Sequence, residues 1–275
     1  MPEPFAFTPI GWVRSSNRYR FDAPRQAILA GGGAFLEWAE PRLMAPAAAD
    51  LAGFDRVWLI FVFDRNLHCA WKPKVRPPVS PDDKRYSVLA TRSPHRPNPI
   101  GLSAVELRGV TAAGLELGGV DLLDGTPVLD VKPYIPEADA FPEARAGWRD
   151  RTAAAAYTVD FTPEAQARMT AIRIGGGPDL VNFCRVQLAN NPGDRRRKRL
   201  TAPERPDECW RLGCRTWEIL FLRDDTARRI EVQTAVSHYD AAELAPGAPD
   251  PYGDKELHRR FLQQFPGSDP AGGIS

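Results

Sequence analysis

Proline is the residue that most restricts what this chain can fold into, since 27 of its 275 residues are proline. Three of them, Pro94, Pro97 and Pro99, lie within six residues. Each proline fixes its own φ and pushes the preceding residue into extended geometry, which excludes a helix there. The prolines cluster between short β-prone runs. The sequence therefore argues against a mostly helical fold.

Short apolar, β-prone runs fill the first half of the chain and predict strands at residues 7–15, 35–40, 57–63, 86–90, 104–110, 115–120 and 128–134. The run at 57–63 is the most apolar and predicts a fully buried strand. One alanine-rich segment, residues 46–51, predicts a short helix that ends near Gly53. Strands joined by Pro/Gly turns without alternating helices predict a closed or nearly closed β-barrel.

The composition shifts near Arg149. A helix start is predicted at Thr162-Pro163-Glu164, because proline and an early acid follow a capping residue. A second helix is predicted at 179–189 and a hairpin at 216–222 and 230–236. The prediction is a mainly β protein: a β-barrel domain at 1–150, a smaller α+β domain at 161–240, and a polar, loosely ordered tail at 245–275, with His238 and His258 at the surface.

Charge and cysteine content limit the partners. The net charge of +1 excludes a strongly cationic protein, so any polyanion site must be a local patch such as the run Arg195 to Arg199. Four scattered cysteines are too few for a disulfide framework, and the spacing of Cys209 and Cys214 does not predict a metal site. Neither a signal pattern nor a membrane-length apolar run is present, so we expect a cytoplasmic protein without membrane contact.

The proline-rich segment at 91–99 carries Arg92, His95, Arg96 and Asn98 on a stiff loop. A binding site that is ordered in advance loses less entropy when a ligand binds. The alternative is a rigid polar connection between two strands. Asp64 and Arg65 end the most apolar strand, where a core strand meets solvent and side chains often do chemistry.

Three motifs carry a resemblance to a known family. They read Trp71-Lys72-Pro73-Lys74-Val75-Arg76-Pro77-Pro78, then Ala90-Thr91-Arg92-Ser93-Pro94-His95-Arg96-Pro97-Asn98-Pro99-Ile100-Gly101-Leu102-Ser103, then Asp121-Leu122-Leu123-Asp124-Gly125-Thr126-Pro127-Val128-Leu129-Asp130-Val131-Lys132-Pro133-Tyr134. In this order they closely resemble the TsaA-like family, whose characterised members are TrmO-type tRNA methyltransferases. The resemblance covers about the first half of the chain. The C-terminal part is similar, more weakly, to the accessory domain of the bacterial members.

The resemblance implies a β-barrel that binds S-adenosylmethionine, commonly as a homodimer. It also implies methyl transfer to N6 of threonylcarbamoyladenosine at position 37 of tRNA. The family's cofactor contacts fall on Pro24, Arg25, Gln26, Asp64, Arg65, Arg92, Leu102, Leu123, Asp124, Gly125 and Thr126. Two positions depart from the pattern: Asp64 stands where the family usually has His, and Asn191-Pro192-Gly193-Asp194-Arg195-Arg196 stands where bacterial members usually have Asp-Pro-Arg-Pro-x-Tyr.

The chemistry of the cofactor suggests a role for several of these residues. Asp64 and Asp124 can accept hydrogen bonds from the ribose hydroxyls or the amino group, and Arg25 or Arg92 can bind the carboxylate in forked geometry. The threonyl carboxylate of the methyl acceptor needs a cation. The residues assigned to the acceptor are Arg96, Asn98, Lys132, Arg195, Arg196 and Arg197.

Methyl transfer from a sulfonium depends mostly on alignment, which can supply roughly 7–11 kcal/mol. His95 and Asp130 are the candidate general bases. Each also has a structural alternative, a satisfied loop histidine for His95 and an acceptor for turn N–H groups for Asp130. Two other functions stay open from sequence: a non-catalytic protein that binds S-adenosylmethionine or RNA, and methyl transfer to a different RNA or a small molecule.

Overall fold

A computed structural model describes residues 5–19, 23, 27, 32–77, 84–153, 156–189, 192–193, 199–205 and 208–267 of the chain. It divides into two compact units, residues 1–152 and 153–275. No helix among the described residues is both long enough and apolar enough to cross a membrane.

The first unit is a closed barrel of six strands. Its strands are β1 Gly11–Arg14, β2 Ala34–Trp38, β3 Arg56–Val62, β6 Ile100–Val110, β7 Gly114–Leu117 and β8 Pro127–Pro133. All neighbours in the order β1-β2-β7-β6-β3-β8 pair antiparallel. Two further strands, β4 Lys74–Val75 and β5 Tyr86–Ser87, form a separate two-stranded ribbon. The predicted barrel is confirmed.

Strand β3 shows how the barrel buries its core. Val57, Leu59 and Phe61 point inward and are buried, whereas the alternate residues on the outer wall are partly exposed. Successive side chains of a strand point to opposite faces, and a barrel encloses one face. The prediction of a fully buried strand at 57–63 is therefore wrong, although the strand itself is present.

Three element boundaries also differ from the prediction. The first helix, α1 Pro41–Ala48, begins five residues earlier than expected and continues into a 3₁₀ turn at Ala49–Gly53. The run at 86–90 is a strand only over β5, since residues 88–90 form a 3₁₀ turn. Strand β6 begins at Ile100, directly after the last proline of the central loop. Two short helices follow the barrel, α2 Pro136–Asp139 and α3 Asp150–Ala153.

The second unit packs helices on a five-stranded sheet of order β10-β11-β12-β13-β9. Its elements are β9 Thr158–Phe161, α4 Pro163–Ile174, α5 Leu180–Leu188, β10 Leu200–Thr201, β11 Trp210–Cys214, β12 Trp217–Asp224, β13 Arg229–Ser237 and α6 Lys255–Gln264. The predicted helix starts are confirmed: the side chains of Thr162 and Asp179 accept hydrogen bonds from backbone amides in the first turns of α4 and α5. The predicted hairpin is formed by β12 and β13.

Helix α6 corrects the expectation of a loosely ordered tail. Leu257 and Phe261 pack in the core of the second unit, and His258 is fully buried against the ring of Trp217 at 3.8 Å between centroids. The imidazole bonds Ser237 Oγ at 2.8 Å and Thr216 Oγ1 at 2.9 Å, so His258 is not a surface residue. The ranges 1–150 and 161–240 as independently folding domains stay predictions.

Gly101→Ala in β6 is expected to destabilise the barrel, because an added Cβ would overlap the ring of Phe61. Overpacking of this kind costs about 1–3 kcal/mol of unfolding free energy. Chemical denaturation measures the loss. The second substitution Phe61→Leu should recover part of it, which a double-mutant cycle detects. Gly53→Ala is the control, since its Cβ would meet no atom within 4 Å. Equal stability of the two alanine variants would contradict the packing described here.

Candidate functional site

The antiparallel order of the barrel brings three loops to one end. Val62 at the end of β3 pairs with Ile100 at the start of β6, and Arg14 at the end of β1 pairs with Phe35 near the start of β2. Leu117 at the end of β7 pairs with Ala34, the first residue of β2. The connections at 15–33, 63–99 and 118–126 therefore emerge together. We call this end of the barrel the loop end.

Most of the residues predicted to bind the cofactor lie on these three connections. Asp64 and Arg65 follow β3, Arg92 lies on the proline loop, and the segment 123–126 precedes β8. The connection at 15–33 also contains Pro24, Arg25 and Gln26, which lie outside the described residues. The barrel topology thus gathers motifs that are far apart in sequence.

The turn before β8 is anchored to the end of β1. Gly125 has a φ of +79°, a conformation that glycine adopts without strain, and its N–H donates to Val13 O at 2.8 Å. Asp124 Oδ1 accepts from Ser15 N at 3.1 Å, and Asp124 N donates to Asn17 O at 2.8 Å. One carboxylate oxygen of Asp124 thus holds two loops together.

Arg65 links the three loop-end connections to one another. Its guanidinium donates to Arg18 O at 3.1 Å and to Asp124 O at 3.4 Å. An arginine offers five donors in a fixed plane, so one side chain can hold several carbonyls in place. The structure gives Arg65 a role in shaping the loop end, and its predicted cofactor contact stays a prediction.

Asp121 is a site residue that the sequence analysis missed. Burial raises the pKa of Asp121 above its ordinary value, and this outweighs the opposing hydrogen bond from Ser103 and the charge of Arg92. Asp121 opens the motif in which Asp124 was chosen. Its sequence signal was an acidic residue between two apolar ones, Val120 and Leu122, which are both buried in the structure.

Several buried polar atoms on the described part of the loop-end connections have no hydrogen-bond partner. Among the described residues, three of the six buried side-chain atoms that make no hydrogen bond belong to loop-end connections: Asp121 Oδ1, Asn66 Nδ2 and His95 Nδ1. The other three are indole or guanidinium nitrogens of Trp38, Arg168 and Trp217. An unsatisfied buried polar group costs about 1–3 kcal/mol. Unpartnered buried groups on ligand-facing loops are typical of a site that a ligand completes.

The proline loop is braced by its own polar groups. Thr91 Oγ1 accepts from Ser93 N and Ser93 Oγ accepts from His95 N, both at 3.3 Å. The guanidinium of Arg96 donates to Thr91 O at 3.4 Å. Asn98 is exposed, and its carbonyl accepts from Ile100 N at 2.7 Å. The predicted roles of His95, Arg96 and Asn98 stay predictions, now on a loop whose shape is fixed.

Leu102, Asp130 and Lys132 lie on the outer wall of the barrel, where Ile60 pairs with both Leu102 and Asp130. Lys132 Nζ is 2.9 Å from Asp130 Oδ2, and Asp130 Oδ1 accepts from Val131 N at 2.9 Å. The Asp130 carboxylate accepts from a strand N–H rather than from the turn N–H groups given as its alternative, and a base function would have to compete with its pairing to Lys132. Leu102 is 51% exposed.

Two other residues shape the loop end and carried no recognisable sequence signal. The side chain of Asn17 donates to Val120 O at 2.9 Å and to Leu122 O at 3.0 Å, which fixes the approach to the turn. Ser103 is buried and contacts Asp121. The run Arg195, Arg196 and Arg197 lies outside the described residues.

Comparison with known proteins identifies relatives across most of the chain. The family model of the tRNA-methyltransferase O N-terminal domain matches residues 12–140. A tRNA (adenine(37)-N6)-methyltransferase of Escherichia coli K12 is 39% identical over 199 residues, which cover 70% of this chain and 84% of that protein. A putative S-adenosylmethionine-dependent methyltransferase, RcsF, of Pseudomonas aeruginosa is 38% identical over 233 residues, covering 82% and 96%.

A solved structure agrees with the fold. The crystal structure of TrmO from Pseudomonas aeruginosa superposes with a TM-score of 0.59 at 29% identity, and the match covers 86% of this chain and 99% of that one. The matched family model spans all three connections of the loop end, including residues 63–99 and 118–126.

Asp121→Asn is expected to stabilise the protein near neutral pH, because it removes a buried charge. Since the folded pKa of Asp121 is raised, the wild-type stability falls as pH rises from the ordinary value of 3.8 through the folded pKa. The stability gain of the variant should grow over that window and then level off. Thermal unfolding at a series of pH values measures it.

Asp139→Asn is the control with the opposite sign. Hydrogen bonds from Ile135 N and then from the Trp58 indole lower the pKa of Asp139, so its stabilisation is present above 3.8 and is lost at lower pH. A stability difference for Asp121→Asn that does not change with pH would contradict the buried-carboxylate account.

Proposed function

The chain belongs to the tRNA-methyltransferase O family, and we propose that the loop end of its barrel is where the methyl donor and the tRNA base meet. The protein is an S-adenosylmethionine-dependent tRNA methyltransferase, like its relatives that act on N6 of adenine 37. We propose that its acceptor is N6 of threonylcarbamoyladenosine at that position. The observation that carries the site assignment is that three buried atoms on loop-end connections, Asp121 Oδ1, Asn66 Nδ2 and His95 Nδ1, have no hydrogen-bond partner among the described residues.

The charges at the loop end fit the amino-acid part of S-adenosylmethionine, which carries an ammonium and a carboxylate on adjacent atoms. The Arg92 guanidinium is close enough to Asp121 to act on its pKa. We assign the carboxylate of the cofactor to Arg92 and the ammonium to Asp121, because neighbouring opposite charges complement a zwitterion. A bound cation would also satisfy the buried Asp121 oxygen. When bound, the cofactor supplies an electrophilic methyl group on a sulfonium.

The turn at 123–126 and the residues after β3 supply the remaining cofactor contacts in this proposal. Gly125 has no Cβ and lets a ligand approach the backbone closely. Asp64 is a partly exposed acceptor at the loop end, where its carboxylate can accept hydrogen bonds from the ribose hydroxyls. Pro24, Arg25 and Gln26 complete the proposed set.

The acceptor side of the site rests on the proline loop. We assign proton removal from N6 to His95, because its Nδ1 is buried at the loop end without a described partner, whereas Asp130 is paired with Lys132 on the outer wall. Arg96, half-buried on the same loop, is assigned to the threonyl carboxylate, with Asn98 beside it. Fixed positions for these groups lower the barrier by alignment.

The remaining partner assignments follow from the surface. The outer wall of β3, β6 and β8 exposes Ile100 to 43% and Leu102 to 51%, and we propose that a second copy of the chain covers it to form a homodimer.

Arg195, Arg196 and Arg197 are proposed to contact tRNA phosphates. Because tRNA is the substrate, we propose a cytoplasmic site of action.

Leu102→Arg is expected to convert the dimer to a monomer, since it places a charge in the middle of the proposed interface. Sedimentation velocity measures the mass. Leu43→Arg serves as the matched control, because Leu43 is 65% exposed on α1, away from this wall. An unchanged mass for Leu102→Arg, or an equal change in the control, would place the interface elsewhere.

The reaction is tested with two tRNAs, one that carries threonylcarbamoyl at position 37 and an unmodified transcript of the same sequence. Incubation with S-adenosylmethionine, followed by mass spectrometry of the nucleosides, should show methylation of the modified nucleoside and leave the transcript unchanged. Methylation of the transcript would mean a different acceptor. Cofactor binding without methylation of either tRNA would favour a non-catalytic binding protein.

Calorimetry should show that Arg92→Ala weakens S-adenosylmethionine binding about tenfold or more. Loss of a charge-assisted hydrogen bond costs about 1.5–3 kcal/mol, which corresponds to at least that factor. Arg42→Ala removes the same charge from an exposed position on α1 and should bind normally. Wild-type affinity in Arg92→Ala would remove Arg92 from the site.

A further inference from the structure

The ribbon of β4 and β5 has one face packed and one face exposed. In its register Val75 pairs with Tyr86 and Lys74 pairs with Ser87. The ring of Tyr86 stacks on Trp148 at 4.8 Å with an interplanar angle of 26°, and the Trp148 indole donates to Ala90 O at 2.9 Å. The face that carries Tyr86 is therefore held against the first unit.

The opposite face of the ribbon is cationic. Lys72, Lys74 and Arg76 alternate along the chain, as residues on one face of a strand do, and all are exposed. Continuing the register by one residue beyond Val75 and Tyr86 places Arg76 opposite Arg85, which is also exposed.

The charge of this segment stands out in a nearly neutral chain. Residues 71–92 contain six cations and two carboxylates, a net charge of +4, whereas the whole chain carries +1. The cations are Lys72, Lys74, Arg76, Lys84, Arg85 and Arg92, and the carboxylates are Asp82 and Asp83. Among the described residues, Lys72, Lys74 and Arg85 form no ion pair.

The ribbon is tied to the proline loop that carries Arg92 and His95. Lys72 N donates to His95 O at 3.2 Å, and Val88 N donates to Pro73 O at 2.9 Å. An RNA whose base enters the loop end must bring the phosphates of the neighbouring nucleotides alongside. Trp71, which is 53% exposed at the start of the ribbon, offers a ring on which an unpaired base can stack.

We propose that the exposed face of the ribbon, formed by Lys72, Lys74 and Arg85 together with Trp71, binds the anticodon loop of the tRNA next to the nucleotide that is methylated. This inference rests on the function proposed for the loop end. It adds a nucleic-acid surface in the first unit that is separate from the run at 195–199. The cations contact phosphates, and the tryptophan stacks on a base that is not paired in the loop.

The test compares three variants of the full chain by tRNA binding over a range of salt concentrations. The ribbon variant Lys72→Ala/Lys74→Ala/Arg85→Ala should bind tRNA at least tenfold more weakly. Its salt dependence should fall by about two units of slope, given roughly 0.7 per phosphate contact in a single strand. Its affinity for S-adenosylmethionine should stay within about twofold of wild type, because none of the three residues is assigned to the cofactor.

The matched control is Arg42→Ala/Arg173→Ala/Arg260→Ala, which removes the same charge from exposed positions in α1, α4 and α6. It should bind tRNA like the wild type. A third variant, Arg195→Ala/Arg196→Ala/Arg197→Ala, shows whether that run contributes independently of the ribbon. Trp71→Ala should weaken binding with little change of the salt slope, because stacking releases no counterions.

The inference is overturned if the ribbon variant keeps wild-type affinity and slope, or if the control loses as much. Single variants Lys72→Gln and Arg85→Gln, each expected to weaken binding about threefold, decide the matter if the triple variant does not fold. The two proposals fail differently. A wild-type protein that neither binds S-adenosylmethionine nor methylates tRNA contradicts the proposed function. A wild-type protein that methylates tRNA while the ribbon variant binds normally contradicts this inference alone.

Discussion

Antiparallel hydrogen bonding around a closed barrel is the constraint on which the first unit depends. Because every strand pairs antiparallel with both neighbours, alternate connections must emerge at the same end. The connections at 15–33, 63–99 and 118–126 share one end, and those at 39–55, which contains α1, and at 111–113 lie at the other. Closure of the barrel leaves no strand edge exposed, so the walls are rigid. The loops can then differ in conformation and role without disturbing the strands. Motifs separated by more than a hundred residues meet for this topological reason.

The loop end contains two kinds of polar side chain: those that hydrogen-bond the loops to one another, and those with buried atoms that have no described partner. Arg65, Asn17 and one oxygen of Asp124 bond backbone carbonyls or amides and fix the loops to one another. Asp121, Asn66 and His95 instead keep buried polar atoms without partners among the described residues. In our proposal the first set lowers the entropy lost on binding, and the second provides interactions that form when the cofactor is present. A site built this way gives up some stability of the empty protein.

The sequence predicted the barrel and the first loop-end residues because the signals were local. Strand runs, proline breaks and the motif around Asp124 can each be recognised within about ten residues. The inward and outward alternation of β3 could not be recognised, because Trp58 and Ile60 are as apolar as the residues that face the core. They lie on the outer wall that we assign to a second copy of the chain.

Other features were missed because they depend on contacts between distant segments. Helix α6 buries only one narrow face, so its segment looked polar in the sequence. The burial of His258 follows from the stacking of its ring on Trp217. Asp121 becomes unusual only when Ser103 and Arg92 surround it. The ribbon face was hidden for the same reason, since the pairing of β4 with β5 brings the segment of Arg85 beside that of Lys74.

The central claim is that the buried, unpaired polar atoms of the loop end are the binding site of the methyl donor. A crystal structure of the protein with S-adenosylhomocysteine, the demethylated product, tests it most directly. The account predicts that the amino-acid end of the ligand lies within hydrogen-bonding distance of Asp121 and Arg92, with the turn at 123–126 against the rest of the molecule. Density for the ligand at any other place, with Asp121 Oδ1 still buried and without a partner, would contradict it.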